Sequence, residues 1–323
     1  MARTDFGGQA LLEGVLMRGR NAVGVAFRHP DGSIVAGSEP LNSILHRNRF
    51  ARAPFFRGLV VLYETLVTGT KWLMRAGSVQ ASGTGQELGR GTVALTLIIT
   101  IALAIGLFVL APLFLAGVTT RAALGADQAF VAHLVEGLIR VAIFVGYLLL
   151  VSRSAEIRRV FRYHGAEHMT IHALEHEDAL DVDHVRHYPT AHPRCGTEFL
   201  VVFIILSILL FSLLAGQSLL VSIVGRILLI PVIASIAYEI LRFGARHRHQ
   251  WWIRWLFLPG IWLQRITTLP PDDSMIEVAI ASMREALKAN GEEAPPGSLD
   301  PERRPIPTKV EVRADQAPDQ LTQ

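Results

Sequence analysis

The sequence predicts a mainly α-helical, polytopic membrane protein with about four transmembrane helices, a small N-terminal β-hairpin and a cytoplasmic histidine-rich helix. Three observations predict it. Half of the 323 residues are apolar and the mean hydropathy is +0.36, too apolar for an ordinary soluble domain of this length. The apolar residues gather into runs long enough to cross a hydrocarbon layer of about 30 Å. Between the second and third runs, His164, His168, His172 and His176 recur at every fourth position.

The elements follow in order. Residues 1–92 read as an N-terminal cytoplasmic or interfacial region. Its run Gly7-Gly-Gln-Ala-Leu-Leu-Glu-Gly-Val-Leu-Met-Arg-Gly19 implies close backbone approach, and it lacks the glycine spacing and Lys-Ser/Thr ending of a phosphate loop. His29-Pro-Asp-Gly32 is a turn signal between Ala22–Arg28 and Ser33–Gly37, which predicts a β-hairpin. Pro54 opens an apolar helix, Phe55–Arg75, whose Arg57, Glu64 and Lys71 suit an interface better than lipid. Residues 76–92 read as a Gly/Ser-rich linker.

Residues 93–151 read as a transmembrane hairpin, with spans Thr92–Val118 and Phe130–Val151; the second carries Glu136 and Arg140, one turn apart and able to pair. Residues 152–198 form the histidine-bearing loop. Residues 199–241 make a second hairpin, with spans Phe199–Ala215 and Leu219–Leu241. Residues 242–290 hold a Trp-rich interfacial segment, Trp251–Leu263, and an amphipathic helix that places Ile276, Ile280, Met283 and Leu287 on one face. Residues 291–323 are Pro-rich and polar, the composition of a disordered tail.

Lys and Arg concentrate outside the two short hairpin turns. This places both termini and the histidine loop in the cytoplasm, and no signal-peptide core precedes the first span. The lone Cys195 excludes an intramolecular disulfide. No basic run interleaved with aromatics marks a nucleic-acid surface, so the expected partners are the lipid bilayer and a membrane-associated peptide or lipid substrate. Nothing in the pattern sets an oligomeric state.

The chemistry lies in 162–176. A helix from about Ser154 to Glu177 gathers His164, His168, His172 and Glu175 within an arc of about 80°. His164 and Glu175 are about 16 Å apart along the axis, so one ion chooses between the pairs His164/His168 and His168/His172. His164-Gly-Ala-Glu-His168 reads H-x-x-E-H, in which two imidazoles one turn apart hold a zinc and Glu167 serves as general base. Further ligands are sought among His192, Cys195, Glu239 and Glu64. Arg18, Arg57 and Arg194 are candidates to clamp a phosphate or carboxylate. The expected cofactor is a divalent metal, zinc, with iron as the alternative. The bland reading is a solvated helix whose histidines pair with neighbouring acids.

Taken together, Gly7-Gly-Gln-Ala, Glu13-Gly-Val-Leu-Met-Arg18-Gly, Arg57-Gly58, Tyr163-His-Gly-Ala-Glu-His168, His192-Pro-Arg-Cys-Gly-Thr197, Tyr238-Glu239, Pro271-Asp-Asp273 and Ile276-Glu-Val-Ala-Ile280 resemble the YqhQ-like bacterial membrane proteins, domain of unknown function 1385. Met169 departs from that pattern, where relatives carry Lys. The resemblance implies a bacterial inner-membrane location and a metal-dependent enzyme without an assigned reaction. Hydrolysis of a membrane-associated peptide or lipid is the expected chemistry, because a carboxylate beside the ligand pair is what water activation needs. A di-iron membrane oxygenase is the first alternative, weakened by the missing H-x-x-H-H boxes. A non-enzymatic scaffold or transporter component with a structural metal is the second.

Overall fold

The computed structural model describes residues 6–44, 48–81, 90–124, 129–193, 195–214, 217–247 and 250–306. It is mainly helical, with a small sheet built chiefly from the N-terminal strands β1 (Gly7–Leu11), β2 (Gly14–Arg18), β3 (Ala22–Arg28) and β4 (Ile34–Pro40). These form an antiparallel meander, to which β5 (Arg304–Pro305) adds a parallel edge beside β4. The expected hairpin is therefore present as β3–β4, within a larger sheet than the sequence suggested. The glycine-rich run before it is a second hairpin, turned at Glu13 with φ +52°.

Alternation along the strands gives the sheet two apolar faces. Leu16, Val23, Val25, Phe27 and Val35 meet Trp72, Ala76 and Val79 of helix α1 (Phe56–Ala81). On the other face, Val15, Met17 and Ala26 pack under helices α5 (Ala155–Glu175) and α10 (Asp273–Asn290). Gly24 makes the contact with α10 close: a Cβ there would lie 2.2 Å from the Ala286 nitrogen, and Ser282 donates to the Gly24 carbonyl at 3.0 Å. The predicted apolar stripe of α10 is buried in full at Ile276, Ile280, Met283 and Leu287. Helix α1 runs six residues past the predicted Arg75 because its last turns cover the sheet. Residues 82–89, the rest of the expected linker, lie outside the described residues.

The apolar helices follow: α2 (Arg90–Ile105), a π turn (Gly106–Leu110), α3 (Ala111–Leu124) and α4 (Ala129–Val151). After α5 and the short α6 (Val182–Val185) come α7 (Gly196–Ser212), α8 (Leu219–Arg246) and α9 (Trp251–Thr267). Among the described residues two stretches, Ala94–Val118 and Leu219–Arg246, are long and apolar enough to cross a membrane, or three if α4 and α5, bent by 100°, count as one span. The count of four is not reached by length: α7 is apolar but has 17 residues, about 26 Å of helix.

The stretch after Asn290 corrects another expectation. Helix α10 ends at Gly291 in the left-handed region, and the chain returns to the sheet instead of leaving it. Ser298 Oγ accepts from Leu180 N at 2.8 Å, Arg303 pairs with Glu285 at 2.9 Å, and β5 joins β4. Residues 307–323 lie outside the described residues.

Candidate metal centre

Helix α5 presents one buried apolar side to the sheet and α10, through Tyr163, Ala166 and Ile171. Its histidines therefore face the remaining neighbours, which are the chain between α6 and α7 and the end of α9. Gly165 lets that end cross tightly, since a Cβ would lie 2.1 Å from the Leu269 carbonyl oxygen. Leu269 N donates to Phe161 O at 2.9 Å, and the crossing sets Thr267 O against His164 Nδ1 at 2.9 Å.

The other two imidazoles are held in the same way. His168 Nδ1 donates to Thr190 O at 2.5 Å and His172 Nε2 to Ala191 O at 2.9 Å. A carbonyl only accepts, so these contacts fix the tautomers and leave the lone pair on Nε2 of His164 and His168 and on Nδ1 of His172. Ring orientation by a backbone acceptor is how metal-ligating histidines are usually held. The carbonyl-bearing loop is itself locked by Gln264 of α9, fully buried. Gln264 accepts from His192 N at 2.8 Å and donates to His192 O at 3.0 Å.

Cys195 closes the first group. It is the N-cap of α7 and its Sγ lies 3.3 Å from His164 Nε2. The sulfur accepts from Thr197 Oγ1 at 3.2 Å and Thr197 N at 3.4 Å. Burial pushes its pKa up to about 12, against those Thr197 bonds, which favour the thiolate. His164, His168 and Cys195 each bring a ligand atom, all within 4.8 Å of one another. Burial also lowers the pKa of both imidazoles, keeping them neutral and able to coordinate.

Glu167 lies beside this group, 3% exposed, with Oε2 buried and without a hydrogen-bond partner among the described residues. Burial pushes its pKa up to about 8, opposed by the backbone N–H of Gly8. That approach requires glycine: a Cβ on Gly8 would sit 2.7 Å from Glu167 Cδ and from Leu16 O. Gly8, His164, Glu167, His168, His192 and Cys195 line a cavity of about 40 Å³. It has room for an ion and a water, so a substrate could present only its reacting group at the mouth.

A second group, His172, Glu175 and His192, brings its ligand atoms within 4.8 Å of one another further along α5. Of the two expected pairs, His164/His168 is the one grouped here, with Cys195, while His172 groups with Glu175 and His192. Glu239 and Glu64 are in neither group. Glu239 accepts from Arg57 Nε at 2.7 Å and from Phe55 N at 3.2 Å. Glu64 accepts from Arg18 at 3.1 Å and from Ile44 N at 2.7 Å. The expected carboxylate ligands and the expected arginine clamps are therefore each other's partners. Arg194 lies outside the described residues. Gly8 and Gln264 were not among the predicted site residues, and Glu175 was placed on the histidine face without a ligand role. The one sequence signal for Gln264 is an uncharged amide set in the apolar run of α9.

Fold and site define a mainly helical protein with a small sheet, apolar helices of membrane-crossing length and a buried group of imidazole and thiol ligands. The chain belongs to the DUF1385 family, described as a protein of unknown function, whose family model matches residues 53–289. It is 31% identical over 299 residues to the uncharacterized protein YqhQ of Bacillus subtilis (strain 168), a match covering 88% of this chain and 92% of that protein. The family match takes in α5, Cys195 and α10 and begins after β4. No solved structure matches.

Proposed function

We propose that this chain is an integral membrane enzyme that depends on zinc held by His164, His168 and Cys195, and that it hydrolyses a membrane-associated peptide or lipid at the cytoplasmic face of the bacterial inner membrane. The single observation that carries the reading is the convergence of those three ligands beside the buried carboxylate of Glu167. A thiolate with two imidazoles favours zinc over the iron of an oxygenase. Zinc in such a set supplies Lewis acidity and makes a water easier to deprotonate. Glu167, whose buried Oε2 lies beside the ligand group, would take that proton once a bound cation holds its carboxyl ionised, and return it to a leaving group. Gly8 N–H holds one oxygen of the carboxylate and leaves the other facing the cavity. In this reading α2–α3, α4, α7 and α8 make four crossings with both termini inside, as the distribution of Lys and Arg supports.

A structural metal is the second reading, favoured by the small volume of the cavity. Glu167→Gln separates the two. Full-length protein in detergent is assayed for metal content and for hydrolysis of phospholipid and peptide panels. The catalytic reading expects the cation retained and turnover reduced by at least about a hundredfold. Retained cation with unchanged turnover, or no turnover in the parent on any panel, favours the structural role. Iron in place of zinc would favour the oxygenase.

A further inference from the structure

The second ligand group is as well assembled as the first, and its chemistry differs. His172, Glu175 and His192 bring two nitrogens and a carboxylate oxygen within 4.8 Å of one another. His172 is oriented by Ala191 O, which leaves Nδ1 with the lone pair, and its ring lies 4.5 Å from that of His192. His192 Nε2 is 3.3 Å from Glu175 Oε1. Gln264 fixes the backbone of His192 at both its N–H and its carbonyl, which sets where its side chain starts before any ion arrives.

We infer that the His172–Glu175–His192 group is a second cation site, selective for an exchangeable divalent first-row ion and loaded independently of the thiol-bearing site. Two features set it apart. Its donors are N, N and O with no sulfur, a set that admits manganese and iron(II) as well as zinc, though more weakly, whereas a thiolate selects strongly for zinc. Its exposure differs as well: the Glu175 side chain is 34% exposed, while Cys195 is buried at 7%. Water would therefore reach an ion bound there from the Glu175 side, which favours exchange. His192 stands between the sites. It lines the cavity with Glu167 and lies 5.6 Å, ring to ring, from His168. The inference uses the same helix as the proposed function but does not require the first site to be loaded.

The test is a cobalt(II) titration of chelator-stripped, full-length protein in detergent micelles, alongside Glu175→Gln and Cys195→Ser, with bound cobalt counted and the thiolate-to-cobalt charge-transfer absorption recorded. Glu175 is part-exposed, so its substitution leaves the fold intact, which far-UV circular dichroism checks. The expected result is two equivalents in the parent, of which one carries the charge-transfer band. Glu175→Gln should lose the band-free equivalent alone, and Cys195→Ser should lose the band and keep the other. Manganese added in excess should displace only the band-free cobalt. Equal cobalt counts in the parent and Glu175→Gln would overturn the second site while leaving the first standing. A parent with no charge-transfer band but one Glu175-dependent equivalent would uphold the second site and refute the zinc reading of the first. No bound cobalt would refute both.

Discussion

Two regions of this molecule bury ionisable groups, and they do so in opposite ways. Among the apolar helices, Glu136 of α4 accepts from Arg140 at 2.6 Å and from Arg226 Nη2 of α8 at 2.8 Å. Both guanidinium groups also lie over the ring of Phe211, at 5.0 and 5.2 Å. Positive and negative groups are both supplied by the chain, two guanidinium groups sharing one carboxylate. Beside α5, by contrast, the buried groups are imidazoles, a thiol and a carboxyl, which are neutral or acidic. Without metal, the Cys195 thiol donates to His164 Nε2, the only arrangement open to a ring whose Nδ1 is already committed to Thr267. The comparison teaches what to look for in a buried polar cluster: a set that contains both charge signs can be held by the chain alone, even when two guanidinium groups share one carboxylate, and a set of lone pairs aimed at one another calls for a cation.

The comparison is sharpened first at the triad, where the largest effect is expected. Glu136→Leu strands two buried guanidinium groups and should cost about 3–5 kcal/mol, read as lost thermal stability in detergent. Replacing all three charged residues with apolar ones of similar volume should recover most of it. An undiminished Glu136→Leu protein would break the contrast. Next comes Gln264→Leu, which removes both bonds to the His192 backbone, two buried polar groups, at about 2–4 kcal/mol. It should also weaken cation binding by the His172 group more than by the Cys195 group.

Smaller again is Gly8→Ala. The added Cβ meets Leu16 O as well as Glu167, so the strand must shift, at a cost of about 1–3 kcal/mol. A chemical denaturation midpoint equal to the parent's would show that β1 yields freely and that Glu167 is not held from this side. The pH effect is the finest probe. Glu167 titrates higher in the folded chain than unfolded, where the ordinary value is 4.5, so the native state binds the extra proton between pH 4.5 and about 8. Its contribution to stability is present in full below pH 4.5 and is lost as pH rises through about 8. The slope is at most about 1.4 kcal/mol per pH unit in metal-free protein and is absent in Glu167→Gln. Identical pH profiles for the two proteins would contradict the burial of this carboxyl.

Much of the fold was legible because its elements are amphipathic. The stripe of α10, the histidine face of α5 and the β3–β4 turn are all readable from spacing. Strands β1 and β2 were not: Gly7 and Gly8, the latter needed for the approach of Glu167, blank the alternation of β1, and β2 is buried on both faces and so does not alternate. At the site, the H-x-x-E-H pair was readable since both ligands share one helix. Cys195 was one of four candidates for completing it, and Glu239 and Glu64 competed as carboxylates in apolar helices. Their arginine partners are remote in sequence, 182 and 46 residues away, so nothing local revealed that those charges were already matched. The Glu136–Arg140 pair was visible as a one-turn spacing; Arg226, 90 residues on, was not.

The central claim, that two imidazoles and one thiolate share a cation, is tested most directly by X-ray absorption at the edge of whichever metal co-purifies with the full-length protein. The account predicts zinc with one sulfur and at least two imidazole scatterers, the sulfur disappearing in Cys195→Ser. A shell of nitrogen and oxygen only, unchanged by that substitution, would contradict it.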